Sequence, residues 1–273
     1  MVRYTQNGIL PIIRRTHQHL YMLPHPLLRT VIAHYTMMLP FESDTKLLLM
    51  PDASGCMILS QEEGQSPRAT FWGPTTRVVE VEGYKAFNGF QFFIEFLPGG
   101  AYALTGLPQK EVLDVQVDIQ EIHLELGKRL MEGMEQIQDL GEFIQFVDKL
   151  LIKQLISGKS KQHLNQKANF ISRNIEQVAI KELSSKMNYS TRQLSRICNE
   201  TIGMNVKAYQ QIVRVNQAVK LMKRPQMDLT QIAQDLGYYD QAHFIHDFQA
   251  VSHLTPKAYL KKMSAFYNEP YKL

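Results

Sequence analysis

Arg192, Ser195, Arg196 and Asn199 recur at helical spacing, so a helix through them presents all four on one face, opposite Leu194 and Cys198. A guanidinium held on such a face can pair bidentately with a guanine edge or bind a backbone phosphate. Two other groupings invite chemistry. His17-x-His19 sets two imidazoles on one side of a strand, a pair that metal-dependent barrel enzymes use with a carboxylate and a third histidine. Only His25 and His34 follow before His123, upstream of most expected strands, so these histidines read as surface or capping residues and no metal site is expected. Pro98-Gly99-Gly100-Ala101 lacks the Lys-Ser/Thr that completes a phosphate loop and reads as a turn. Cys56 and Cys198 are too few for a cysteine-rich zinc site or a disulfide framework. No catalytic centre emerges, no cofactor is expected, and any cofactor-binding residues are unknown.

The elements that must position the arginine face form a repeat. Ile180-x-x-Leu183-Ser184-x-x-Met187, then Ser190, Leu194, Cys198, Gly203 and Tyr209, return as Leu229-x-x-Ile232-Ala233-x-x-Leu236, then Asp240, Phe244, Phe248, His253 and Tyr259. The offset is 49 residues and becomes 50 after one extra residue in the second turn. A period of this size marks a repeated supersecondary unit. Each copy reads as two short helices around a tight turn. Ser190-x-x-Gln193 is a capping-box start, Asp240 an N-cap, and Thr255-Pro256 an N-cap followed by proline at the first helical position. A first helix is expected over Asn169–Gln177 and a longer one over Val206–Lys223, stopped by Pro225. About 18 residues at 1.5 Å each span on the order of 27 Å, close to the spacing of about 34 Å between successive major-groove entries on one face of DNA. Two helix-turn-helix units joined by such a linker point to double-stranded DNA as partner.

Upstream, the chain changes character. Val31–Leu39, Lys46–Met50, Cys56–Leu59, Arg77–Val81 and Phe90–Leu97 are short apolar runs separated by turn residues. They read as antiparallel strands in a β-barrel or sandwich, a fold able to enclose one small ligand. Trp72, Phe87, Phe90, Phe92, Phe93 and Phe96 read mostly as its core face, with a ligand pocket as the alternative. From Ile119 to Ile156 the period turns helical: Ile122, Leu126, Leu130 and Met134, then Leu140, Ile144, Val147, Leu151 and Leu155. Asp139-Leu140-Gly141 divides two antiparallel helices that pack on the barrel or, through surplus apolar surface, form a homodimer interface. The fold class is therefore α+β in two domains: residues 1–158 a β-rich ligand-sensing or dimerisation domain with flanking helices, 159–165 a linker, and 166–273 an all-α domain of two helix-turn-helix units.

Charge follows the same division. Residues 160–273 carry 16 Lys+Arg against 8 Asp+Glu, while residues 1–159 carry 14 against 18. Only the C-terminal part suits a polyanion. No signal peptide or apolar run of transmembrane length is seen, so a cytoplasmic protein without a membrane partner is expected.

The stretch Leu229–Tyr259, with Ile232-Ala233, Gly237-Tyr238, His243-Phe244, Phe248 and Thr255-Pro256-x-x-Tyr259, resembles the signature of the AraC/XylS family of bacterial transcription regulators. The similarity extends over about 100 residues, through Arg192-x-Leu194-x-Arg196, Gly203, Tyr209 and Arg214. A weaker likeness to a sensor type found before this module rests on Leu49-Met-Pro51-Asp52, Phe71-x-Gly73-Pro74 and Phe96-Leu-Pro98-Gly99-Gly100-Ala101-x-Ala103. The resemblance implies two reading helices in adjacent major grooves. Arg192, Ser195 and Arg196, with Asn199 on the same face, would form the first reader, and Gln241, Ala242, Ile245 and His246 the second. Gln pairs with adenine as Arg does with guanine. A small-molecule effector, a homodimer and contact with RNA polymerase are further implied possibilities; the effector, the operator and the sign of regulation are not readable. The chain departs from the family pattern at Cys198 for an aromatic, Asn205-Val206 for Ser-Pro, His253 for Gly and His246 for a frequent Arg. An imidazole attracts phosphate less than a guanidinium near neutral pH, so the first reader is expected to dominate. The alternatives are a partner-held architectural DNA binder, and an enzyme fused to a DNA module such as an alkyl acceptor, for which Cys56 alone gives no metal-bound cysteine cluster.

Overall fold

The computed structural model describes residues 11–39, 47–81, 89–158, 162–224 and 227–262. Phe87, Pro225 and the first residues of the expected linker, 159–161, lie outside these. The strands are β1 (Ile12–Arg15), β2 (His19–Met22), β3 (Ile32–Met38), β4 (Leu47–Leu49), β5 (Cys56–Glu62), β6 (Arg68–Trp72), β7 (Val79–Val81), β8 (Gly89–Phe96) and β9 (Gln116–Asp118). Seven form one antiparallel sheet in the order β1-β2-β3-β8-β5-β6-β9, and β4 pairs with β7 in a small second sheet.

Alternation along the strands gives the large sheet two unlike faces. Leu20, Met22, Tyr35, Met37, Met57, Leu59, Phe92 and Ile94 form the apolar one. It is covered by helices α3 (Leu124–Gln136) and α4 (Leu140–Ser157), reached from α1 (Gly100–Thr105) and the short α2 (Ile119–Ile122). The expected stripe is the buried one: Leu126, Leu130 and Met134 on α3, and Leu140, Ile144, Val147 and Leu151 on α4, all join this core. Each such buried side chain contributes about 1.5–3 kcal/mol. Asp139 caps α4 by accepting the Glu142 N–H at 3.0 Å, which divides the helices where expected.

The opposite face carries His19, His34, Thr36, Cys56, Ile58, Phe93 and Glu95, buried beneath the β4–β7 sheet and the helical domain. His17 and His19 do not form the strand pair imagined for a metal. Residues 16–18 turn before β2, so His17 is exposed while His19 is buried within the strand. Among the described residues no cluster of His, Cys, Asp and Glu is placed to hold a metal ion.

The helical domain comprises α5 (Gln162–Asn174), α6 (Ile180–Met187), α7 (Thr191–Thr201), α8 (Val206–Met222), α9 (Leu229–Asp235), α10 (Gln241–Ser252) and α11 (Pro256–Lys262). Its α5 starts seven residues before the expected Asn169 and already includes 162–165. The two domains share a seam. The Pro-Gly-Gly turn bends β8 into α1, which packs on α5 and α7. Gly99 adopts φ +86, and a Cβ there would stand 2.7 Å from that of Ala168 on α5, so glycine serves both the turn and the close approach. The Asn169 side-chain amide donates to the Thr30 carbonyl at 3.1 Å, and that of Asn216 to the Pro51 carbonyl at 2.9 Å. Met50 and Ala53 of the β domain are buried in the core of the helical one. No helix among the described residues is long and apolar enough to cross a membrane.

Candidate nucleic-acid interface

In the first unit α6 supports α7. Leu183 anchors α6 in the core, and Ser184 uses its buried hydroxyl to donate to the Tyr189 carbonyl across the turn. Asn188 takes a left-handed conformation, φ +54, which asparagine tolerates better than most residues. The expected capping box then forms: the Gln193 N–H donates to the Ser190 hydroxyl at 3.2 Å, while the Ser190 N–H donates to Gln193 Oε1 at 2.7 Å. Leu194, Ile197, Cys198 and Thr201 turn inward, leaving Arg192 and Arg196 exposed and Ser195 and Asn199 half-buried beside them. The four candidate residues of the first reader thus share the outer face of α7. Arg196 borders a shallow recess with Lys167, Tyr189, Gln193 and Glu200, and the Lys167 ammonium stands 5.0 Å from the Tyr189 ring centre. This places a second cation by the recess that Arg196 borders.

The second unit is built on the same scheme with different parts. Asp228 caps α9 by accepting the Gln231 N–H at 2.8 Å, and Asp240 caps α10 by accepting that of His243 at 2.7 Å. Its core is aromatic: Phe248 lies edge-on between Phe244 at 5.9 Å and Tyr259 at 5.6 Å, centre to centre. Outward stand Ala242 and His246, both exposed. Ile245 does not stand free with them; it is half-buried and packs against the helical core. Gln241 is also half-buried, and its Oε1 accepts the Thr230 hydroxyl at 2.9 Å. An adenine contact needs that oxygen to accept from the base while the amide donates, so Gln241 must share or break the Thr230 bond to read adenine. His243 joins Ala242 on the first exposed turn, its ring edge-on to Tyr238 at 5.2 Å. Tyr239, 92% exposed just before the capping Asp240, flanks the same turn. Neither appears among the sequence candidates. The available signal was position: His243 aligns with Gln193 in the repeat, and Tyr239 is the extra residue with no apolar partner at helical spacing.

The linker α8 holds both units. Asn205 caps it, accepting from the N–H groups of Lys207 and Ala208 at 3.0 Å each, so the missing Ser-Pro has a working substitute. Toward the first unit, the Tyr209 hydroxyl donates to Ser172 Oγ on α5 at 3.1 Å. Toward the second, the Gln211 side-chain amide donates to Asp247 at 3.1 Å, and the Arg214 guanidinium lies 5.7 Å from the Tyr238 ring centre. Arg214 therefore fastens the second unit as well as adding charge. Burial holds the Tyr209 and Tyr259 phenols protonated and pushes the Cys198 thiol up to about 12, so Cys198 serves as a small apolar group rather than a nucleophile.

Residues 183–262 match the family model described as a helix-turn-helix domain. An HTH-type transcriptional regulator of Haemophilus influenzae is 33% identical over 85 residues, which are 31% of this chain and 28% of that protein. The chain thus spans little more than a quarter of that relative's length. Crystal structures of ToxT from Vibrio cholerae also align: one form over 85% of this chain and 94% of ToxT, with TM-score 0.37 and 11% identity. A form bound to an unsaturated fatty acid aligns over 82% and 89%, with TM-score 0.35 and 11% identity. At these scores the likeness has no bearing on the site of the present chain.

Proposed function

With residues 183–262 in the helix-turn-helix domain family, we propose that the chain is a sequence-specific, DNA-binding transcription regulator of AraC/XylS type. On this proposal α7 and α10 enter successive major grooves, and the protein does no catalysis. One observation carries it. Two capped helices with exposed outer faces, Arg192 and Arg196 on one and His243 and His246 beside Ala242 on the other, are held by a single helix of 17 residues. That helix is about 25 Å long, a length compatible with reading two turns of one duplex face. Base edges are contacted by Arg192, Ser195, Arg196 and Asn199 in one half-site. In the other they are contacted by Ala242, His243 and His246, with Gln241 and Ile245 supporting the helix. Control comes through residues 1–158, by a small molecule or by dimerisation.

Selection of bound duplexes by the full-length protein tests this. It should enrich a bipartite site with half-sites about 10–10.5 base pairs apart. Affinity should fall with salt by about 0.9 log units per log unit for each phosphate neutralised. Enrichment of no sequence, with a normal salt response, would favour the architectural alternative. A flat salt response would remove DNA as the partner.

A further inference from the structure

Where the domains meet, the polar face of the large sheet looks toward α5 and α8. A cavity of 460 Å³ remains between sheet and helices, within the range of about 300–1,000 Å³ typical of small-molecule sites. Its apolar walls come from Ile58, Trp72 and Phe93 on the sheet and from Leu49, Met50 and Val79 by the small sheet. The three N-terminal motifs singled out in the sequence converge on it, through Pro51, Gly73 and Pro98. The remaining wall is α8, whose Tyr209, Ile212, Val213, Asn216 and Lys220 recur at helical spacing and so present one face of the linker to the cavity.

Asn216 gives this wall its chemistry. Its Nδ2 donates to the Pro51 carbonyl at 2.9 Å, and a carbonyl can only accept, so the orientation of the amide is fixed. Its Oδ1 is then left without a partner and without solvent-accessible surface, so a ligand in the cavity reaches it only by displacing a neighbouring side chain. Burying an acceptor without a donor is unfavourable, and such groups are rare in native interiors. Acidic and basic side chains both line the cavity: Asp52, Glu95 and Glu176 beside Arg173 and Lys220. They favour neither a cationic nor an anionic ligand.

We infer that the cavity binds an uncharged, largely apolar small molecule carrying one hydrogen-bond donor, a hydroxyl or amide N–H, which donates to Asn216 Oδ1. The ligand touches the linker helix itself, and its regulatory meaning rests on the DNA-binding role proposed above. Trp72, the single tryptophan of the chain, lines the cavity and reports occupancy without DNA being present.

The experiment is a titration of full-length protein, followed by Trp72 fluorescence, with 1-octanol, its isomer 1-methoxyheptane, octanoate and octylamine. Octanol should give a saturable change and bind about tenfold tighter than the ether, which has the same heavy atoms but no donor. Asn216→Leu should bring alcohol and ether to the same affinity, and Val213→Phe should abolish saturation by filling the space. Equal binding of the two isomers to the wild-type protein would overturn the proposal, as would tighter binding of octanoate or octylamine. Saturation that survives Val213→Phe would also overturn it. If Asn216→Leu fails to fold, the wild-type alcohol-to-ether ratio still decides. Because no arm contains DNA, failure here is separable from failure of the regulator reading.

Discussion

At the exit of α7 the chain turns through Gly203, φ +93, where a Cβ would lie 2.9 Å from the Gln109 carbonyl oxygen of the β domain. At the matching exit of α10 it turns through His253, φ +56, whose side chain is exposed. The first position needs glycine twice, for its backbone angle and for the neighbour pressed against it; the second needs it only for the angle. The same contrast explains Cys198. The first unit fits a small residue where the second has Phe248, and α7 packs against α1 and the 109–111 turn while the second unit builds its own aromatic stack. Sequence symmetry between the units is thus not mechanical symmetry. One is embedded in the β domain, and the other hangs from α8.

The contrast can be broken most forcefully at Phe248. Phe248→Ala should destabilise the second unit by about 3–5 kcal/mol. In hydrogen exchange α10 and α11 should lose protection while α7 keeps it; equal loss in α7 would show that the units unfold as one. Next in size is the difference in grip on DNA. Arg196→Ala should cost about 1–3 kcal/mol of specific affinity, and His246→Ala less, in titrations against the selected site. Equal or reversed losses would remove the ranking of the readers. The smallest effect concerns the exit turns. Left-handed backbone costs a non-glycine residue about 1–2 kcal/mol, part of which glycine loses again as chain entropy. His253→Gly should therefore raise stability by about 0.5–1 kcal/mol in thermal melts, whereas Gly203→Ala should lower it.

What could be seen in the sequence is what short stretches decide. The capping box at Ser190, the Asp240 and Thr255 caps, the break at Asp139 and the amphipathic stripes of α3 and α4 depend on neighbours within a turn or two, and the structure has them all. The start of α5 was not legible, because its inner stripe opens with Asn165 and Ala168, buried against the Gly99 turn rather than against apolar neighbours. Nothing near Asn165 in the chain announces that partner. The residues proposed to face DNA divide in the same way. Arg192 and Arg196 follow from helical spacing, but Ile245 is drawn into the core and Gln241 toward Thr230 by tertiary contacts that periodicity does not encode. The cavity was beyond reach for the same reason, since its walls come from segments more than 150 residues apart in the chain, as the Asn216–Pro51 bond illustrates.

That bond also sets a lever. Asn216 is held ten residues into α8, with six beyond it. At 1.5 Å per residue the free arm is about 9 Å, against about 25 Å for the whole helix. A swing of about 8° moves the end of the short arm by little more than about 1 Å, and that of the long arm by about 3.4 Å, one base-pair step. The bond to Pro51 thus fixes the linker helix to the β domain nearer its far end than its start, so the pivot lies close to the end of α8.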